Sequence, residues 1–319
     1  MLVRNFVLWL STKRAVTDYI AERGMRYGFA RRFVAGERLV EALAACEDLA
    51  RQGRRISLNH LGENVSTEAA AREACAGYID MIEKLYARSI PGNVSIKLTQ
   101  LGLDISKDFC ASLARAIAKR AAQLQRTIEM DMEGSRYTDV TLEIFEGVQR
   151  EAGNSCLAVQ AYLHRSENDL RRLAPLKPKI RLVKGAYREP KAIAFQSKAD
   201  VDANYKRLTT LLLEGAAQGT FFPAFASHDP AMVAHAQSEA ARLGVAKDRY
   251  EFQMIYGIRR DLQQLVHLAG HTLQVYVPFG TDWCPYFMRR IAERPANWLF
   301  VMRSVLAESR QSPSTPTGQ

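Results

Sequence analysis

Nothing in these 319 residues spaces cysteine or histidine for a metal centre or a disulfide framework. The five cysteines, Cys46, Cys75, Cys110, Cys156 and Cys284, are odd in number and scattered, with no CxxC pair and no Cys/His cluster. That usage fits a reducing cytoplasm best, and no metal site is indicated. Long apolar runs are missing as well. The run at 6–10 is far short of the ~20 apolar residues a membrane span requires, and no small-residue cleavage site accompanies it, which argues against a secretory signal. The chain also lacks GxGxxG, GxxxxGK(S/T) and HExxH, so a bound dinucleotide would need another phosphate site. Nucleic-acid motifs are absent, and aromatics are only 9% without basic interleaving, so RNA and DNA are set aside as partners.

What is present reads as a soluble globular chain, with 47% hydrophobic and 24% charged residues. Lys+Arg 44 against Asp+Glu 34 leaves a net charge of +10, which favours an anionic partner. Half of the excess sits in residues 1–55, which carry 11 Lys/Arg and 6 Asp/Glu. A solvated helical face accounts for that better than a membrane-contacting surface. The length alone fits either two ordinary domains or one α/β barrel.

The organisation comes from an alternation. Short β-branched runs at 56–61, 94–98, 127–132, 157–163, 180–184, 221–227, 250–254 and 273–277 read as strands. Amphipathic stretches at 109–125, 138–152, 204–218, 231–243 and 259–268 read as helices between them. A strand that returns parallel needs a long crossover, and eight such units predict a closed α/β barrel of the (β/α)8 type. Helices within 12–52, broken near Gly28 and Gly36, would cover the bottom or side. Residues 283–308 predict a helix, a break at Pro295 and a second helix, with a disordered tail at 309–319. The expected organisation is an N-terminal helical segment at 1–55, a barrel with C-terminal helices at 56–308, and the tail.

Chemistry in such a barrel belongs at the C-terminal strand ends, and those ends are polar. Asn59, Lys97, Gln100, Asp131, Glu133, Gln160, Arg181, Lys184, Tyr187, Ser227, His228, Gln253 and Tyr276 all fall there. Buried charges are costly unless paired or met by ligand, so some of these are expected to be ion pairs filling the barrel. Lys97 in Val94-Ser95-Ile96-Lys97-Leu98 suits either a Schiff base or a carboxylate contact. Glu129, Asp131 and Glu133 alternate and so face one way, where Asp131 either pairs with Arg181 or a neighbouring lysine or orients cations around an anionic ligand. His228 and Asp229 are adjacent and face opposite sides, which argues against a relay. Lys184-Gly185-Ala186 offers a cation and a glycine for close approach of a phosphate. Tyr286, Arg289, Arg290 and Glu293 share one helix face, two of them fork-shaped carboxylate binders. Arg259-Arg260 reads as a surface pair.

Taken together, Asp131-Met132-Glu133-Gly134-Ser135, Arg181-Leu182-Val183-Lys184-Gly185-Ala186-Tyr187 and Tyr286-Phe287-Met288-Arg289-Arg290 resemble the FAD-dependent proline dehydrogenases. The segments 94–102 and 251–257 fit the same family, and the resemblance runs in order over about residues 30–308, in the monofunctional bacterial form. It implies a distorted (β/α)8 TIM-type barrel with a C-terminal helix over the mouth. It also implies FAD-dependent oxidation of L-proline to Δ1-pyrroline-5-carboxylate, the first step of proline catabolism. Electrons would pass to a quinone-type acceptor. By motif, Lys97, Arg289 and Arg290 would hold the substrate carboxylate, Tyr276 would pack on the ring, and Tyr286 and Glu293 would support the arginines. Asp131 would orient the cations, and Arg181 would lie near the flavin. Met132, Gln160, Lys184, Gly185, Ala186, Tyr187, Ser227 and His228 would contact FAD. Ser227 departs from the family's usual threonine by one methyl. The implied partners are L-proline, the quinone-type acceptor, a separate pyrroline-5-carboxylate (glutamate semialdehyde) dehydrogenase and peripheral contact with the inner membrane face. The competing readings are a cofactor-free Schiff-base lyase or aldolase, oxidation of a related cyclic amino acid, and a non-enzymatic basic scaffold.

Overall fold

The computed structural model describes residues 30–284 and residue 286. Its centre is a closed barrel of eight parallel strands in sequential order. They are β1 (Arg55–His60), β2 (Gly92–Ile96), β3 (Ile128–Met130), β4 (Ser155–Gln160), β5 (Lys179–Val183), β6 (Phe222–Ala226), β7 (Glu251–Ile255) and β8 (Leu273–Phe279). All eight expected strands are present, with ends shifted by at most three residues. The shift matters at β2 and β3. Lys97 and Asp131 stand just past their strands rather than inside them.

Around the barrel run α1 (Leu39–Arg51), α2 (Glu68–Ala87), α3 (Lys107–Gln123), α4 (Thr138–Ala152), α5 (Ser166–Leu173), α6 (Lys198–Ala217), α7 (Pro230–Arg242) and α8 (Arg260–Leu268). Short polar caps start several of them. The Thr67, Ser106, Ser197 and Asp229 side chains accept the N–H groups of Ala70, Phe109, Asp200 and Ala231. α6 begins earlier than the apolar spacing at 204–218 implies, because its first turn after Ser197 is charged and faces water.

Period-two alternation in the strands sorts residues onto two faces. Outward positions such as Ile56, Leu58, Val94, Ile96, Leu157, Val159, Ile180, Leu182, Phe252 and Met254 join the helices in one apolar core. Inward positions are polar: Ser57 and Asn59, Asn93 and Ser95, Glu129, Lys179 and Arg181, Glu251 and Gln253, Gln274 and Tyr276. Their mutual contacts across the barrel are described below. The register places Ser95 beside Glu129 and Ser57 beside Tyr276, so the inward rows meet at common heights.

α1 precedes the barrel in sequence yet packs on β1 and β8. The described part of the pre-barrel segment therefore covers the side of the barrel, one of the two placements the sequence allowed. Its buried residues Ala42, Leu43, Cys46 and Leu49 belong to the same core as the strands. The break before it falls at Gly36 (φ +122°), where a Cβ would meet the Glu41 side chain at 2.6 Å. Glu41 itself accepts the N–H groups of Glu37 and Arg38 at 3.0 and 3.1 Å, fixing the helix entry. The helices expected within residues 12–29, those at 287–308 (with the helix over the barrel mouth) and the tail at 309–319 lie outside the described residues.

Candidate active site

Arg181 on β5 is the hub of the barrel interior, and it is 5% exposed. Its Nε donates to Gln253 Oε1 of β7 at 2.6 Å. Nη1 donates to Asp131 Oδ1 at 2.5 Å and to Ser95 Oγ at 3.4 Å. Nη2 donates to Ser57 Oγ at 3.3 Å and to Glu129, closing an ion pair with each carboxylate. All the donors a guanidinium carries are thereby engaged by side chains from four other strands and their ends, β1, β2, β3 and β7. Burial opposes the charge, but Glu129 and then Asp131 hold the Arg181 pKa above the ordinary arginine value.

Glu129 is fully buried and accepts hydrogen bonds from Ser57, from Gln274 at 2.6 Å and from Asn93 at 3.3 Å. Burial would raise its pKa, yet Arg181 and Lys179, helped by Ser57 and Gln274, hold it below the usual glutamate value. Deeper in the barrel, Lys179 pairs with Glu251 at 2.7 Å, and Gln253 also donates to Glu251 at 2.7 Å. The expected ion pairs filling the barrel layers are therefore present, including the Asp131–Arg181 pair.

Asp131 joins this floor to the mouth. It accepts Ser95 Oγ–H at 2.8 Å and Tyr276 O–H at 2.8 Å, and its other neighbour is Lys97, 3.5 Å away. Burial again opposes ionisation, but Lys97 and Arg181 keep the Asp131 pKa lowered. The Tyr276 phenol is pushed well above its ordinary pKa by burial and then by Asp131, while its ring lies 5.4 Å from the Arg181 guanidinium carbon. Lys97 is 8% exposed, and its Nζ makes no hydrogen bond among the described residues. A buried ammonium that touches only an ion-pair partner at 3.5 Å retains donors for an incoming anion. Glu133 is separate from this group. It accepts the N–H of Thr99 at 3.1 Å and the Thr99 hydroxyl at 2.5 Å, and burial raises its pKa despite those bonds. The three alternating acids thus divide into two inward partners of Arg181 and one tie between the β2 and β3 ends.

A second polar set lines the ends of β4, β5 and β6. Gln160 is 2% exposed and donates to the Glu133 carbonyl at 3.1 Å. Met132 and Ser227 are buried, His228 is half-buried, and Gly185, Ala186 and Tyr187 are exposed. Lys184 Nζ is held by Asp202 and by Asp229 at 2.8 Å. Burial opposes it, but Lys184 and the Ala231 N–H hold the Asp229 pKa at about 2. His228 Nε2 accepts the Ile255 N–H at 2.8 Å while Asp229 caps α7, so the two do not form a relay. Gly185 carries φ +119°, and a Cβ there would enter the Tyr162 ring at 2.4–2.6 Å. Packing against Tyr162 alone therefore requires glycine, a reason that the sequence did not disclose. The N–H groups of Gly185 and Ala186 have no partner among the described residues.

Tyr286 is buried at 7% exposure, whereas Arg289, Arg290 and Glu293 lie outside the described residues. The structure thus brings Lys97, Asp131, Arg181 and Tyr276 into one cluster and sets Met132, Gln160, Lys184, Gly185, Ala186, Tyr187, Ser227 and His228 along the neighbouring rim. Sequence reasoning missed Lys179, Glu251, Gln274, Asn93 and Ser57, and it gave Glu129 no partner. Their signal was a polar residue two positions before another inward polar one, Ser57 before Asn59, Asn93 before Ser95, Lys179 before Arg181, Glu251 before Gln253 and Gln274 before Tyr276. Among the described residues, no group of three His, Cys, Asp or Glu is arranged to hold a metal ion.

Residues 42–303 match the family model described as Proline dehydrogenase. The chain is 37% identical over 306 residues to Proline dehydrogenase 1 of Bacillus subtilis (strain 168), covering 96% of this chain and 99% of that one. It is 38% identical over 310 residues to Proline dehydrogenase of Deinococcus radiodurans, covering 96% and 98%. Among solved structures it resembles proline utilization A (PutA) from Bdellovibrio bacteriovorus inactivated by N-propargylglycine. The TM-score is 0.77 at 25% identity, over 83% of this chain and 32% of that one. The chain thus spans about a third of that protein's length and nearly the whole of the two dehydrogenases.

Proposed function

The chain belongs to the proline dehydrogenase family and is an oxidoreductase of that class, and from this we propose that it oxidises L-proline to Δ1-pyrroline-5-carboxylate using FAD. The observation that carries the substrate assignment is Lys97. Its buried ammonium has no hydrogen-bond acceptor among the described residues and stands 3.5 Å from Asp131, the carboxylate to which Tyr276 also donates. Proline presents a carboxylate for that ammonium and a small apolar ring for an aromatic face. Arg289 and Arg290 would complete the carboxylate site, with Tyr286 and Glu293 supporting them. Three cations against one anion fix the orientation of the ring, which is the main demand of a hydride transfer on the protein.

Asp131 is assigned the task of holding Lys97 and Arg181 apart yet aligned. Its lowered pKa keeps it an anion, so it serves as an orienting group rather than a proton donor. Arg181 contributes a fixed positive charge, since its donors are already taken by protein acceptors. The cationic surroundings favour loss of the substrate's amine proton, as the oxidation requires.

The second polar set has the chemistry to hold FAD. Gly185 and Ala186 offer unpartnered N–H groups, Lys184 a cation, Gln160 an amide and Ser227 a hydroxyl, with Met132, Tyr187 and His228 beside them. Glycine at 185 also leaves the backbone open to a phosphate. When bound, FAD supplies the two-electron acceptor for the hydride. Ser227 in place of the family's threonine retains that hydroxyl. Onward transfer to a quinone-type acceptor, a separate glutamate semialdehyde dehydrogenase for the product, and peripheral membrane contact belong to the same proposal. No helix among the described residues is long and apolar enough to cross a membrane.

A Schiff-base lyase gains no support from Lys184, whose amine is clamped between Asp202 and Asp229. Anaerobic addition of L-proline to the purified protein is expected to bleach its flavin absorbance. An unchanged oxidised spectrum would overturn the proposal. Borohydride trapping of a carbonyl substrate on a colourless protein would install the lyase in its place.

A further inference from the structure

In a regular (β/α)8 barrel the eighth outer helix follows β8; among the described residues it is α1, from before the barrel, that packs on β1 and β8. Beside this contact, between α1 and the start of α8, lies a cavity of about 320 Å³ on the outside of the barrel wall. It is separate from the cluster around Arg181, and its lining is polar where a helix–helix groove is ordinarily apolar.

Two arginines face it. Arg54 is 8% exposed, and its Nη2 donates to Gln264 Oε1 at 3.1 Å. Its Nε is buried without a hydrogen-bond partner among the described residues. Arg260, at the first turn of α8, makes no ion pair among the described residues. The lining contains one carboxylate, Asp48, which is already paired with Arg51. Among the described residues the lining therefore carries more positive than negative charge. Burial and then Arg260 lower the Arg54 pKa. Two guanidiniums lining one cavity, one of them with a buried, idle N–H, suit the planar, multi-acceptor geometry of an oxyanion.

We propose that this cavity is a binding site for a small oxyanion of the phosphate or carboxylate class, held between Arg54 and Arg260. Tyr256 and Gln264 supply further polar edges. The Arg259-Arg260 pair, read from sequence as surface decoration, then divides its work. Arg259 is pinned to Asp261 at 2.7 Å, and Arg260 is left for the ligand. The proposal does not depend on the flavin or on the substrate assignment.

Isothermal titration of the protein as purified, with inorganic phosphate in one arm and malonate in the other, tests it. At least one anion is expected to bind with one-site stoichiometry, and Arg260→Ala to weaken that binding about tenfold or more, with Arg260→Lys intermediate. Arg260 is exposed, so neither substitution threatens folding, and the KM for proline should stay at the wild-type value. Phosphate separates from malonate by which arm gives the tighter curve. The inference fails if Arg260→Ala titrates like wild type, which would assign the anion to another basic site. It fails equally if neither anion binds at tens of millimolar.

Discussion

Glu129 shows how a single buried side chain can carry an entire interior. It has no exposure, two cationic neighbours and three hydrogen-bond donors around its carboxylate. Removing one partner of such a pair strands the other charge, an effect of ~3–5 kcal/mol. Glu129→Ala is therefore expected to lower the urea unfolding free energy by that amount, and Glu129→Gln by less, because the amide oxygen still accepts from Arg181. A loss under 1 kcal/mol for the alanine variant would show that the pair is solvated. Lys97 predicts the opposite balance. Its ammonium is buried without a hydrogen bond among the described residues, and Asp131 keeps Arg181, Ser95 and Tyr276 if it goes. Lys97→Met should leave stability within ~1 kcal/mol of wild type, while KM for proline rises about tenfold or more, equivalent to ~1.4 kcal/mol of binding. Steady-state kinetics alongside denaturation separates the two; an unchanged KM would remove Lys97 from the carboxylate site.

At the scale of elements, the strands were legible because their outward faces are continuous with the core. Ile56 and Leu58, or Ile180 and Leu182, alternate with polar residues, and that alternation is what the sequence displays. Reading only the strand ends found Lys97, Asp131 and Arg181 but passed over Lys179, Glu251 and Gln274, which sit one inward step lower. A polar residue in mid-strand announces burial in the barrel only once closure brings six strands together. One feature had no local signal at all. It is the crossing of the chain before α1 over the β7 loop, where a Cβ on Gly257 (φ +73°) would stand 1.6 Å from the Arg32 carbonyl oxygen. Backbone against backbone leaves no side chain to yield. Gly257→Ala should therefore cost the ~1–3 kcal/mol of a strained positive φ, plus displacement of the segment at Arg32. Increased proteolysis near residues 30–38 and a lowered Tm are the expected readouts; a variant with wild-type Tm would mean the crossing is not held.

The whole molecule carries +10, yet the barrel interior is balanced: Lys97, Lys179 and Arg181 face Glu129, Asp131 and Glu251. The excess charge resides outside that interior, and acid sensitivity should come from within it. Glu129 and Asp131 have pKa values lowered by folding. Each binds protons more weakly folded than unfolded, so its stabilisation is complete above the unfolded values of about 4.3 and 3.9. That stabilisation disappears as pH falls through the lower folded values. Glu133 runs the other way. Burial raises its pKa, so its contribution is present below about 4.3 and is lost as pH rises through the folded value. Urea unfolding from pH 7 down to pH 3 should accordingly show a shallow rise in stability on first acidification, from Glu133, and then a steep fall below about pH 4. Replacing Glu133 by Gln should remove the shallow rise and leave the fall. Replacing Glu129 by Gln should flatten the fall, because one of the two carboxylates that must be protonated is gone. A wild-type curve that keeps climbing to pH 3 would contradict the lowered values of the Arg181 partners and the balanced interior inferred from them.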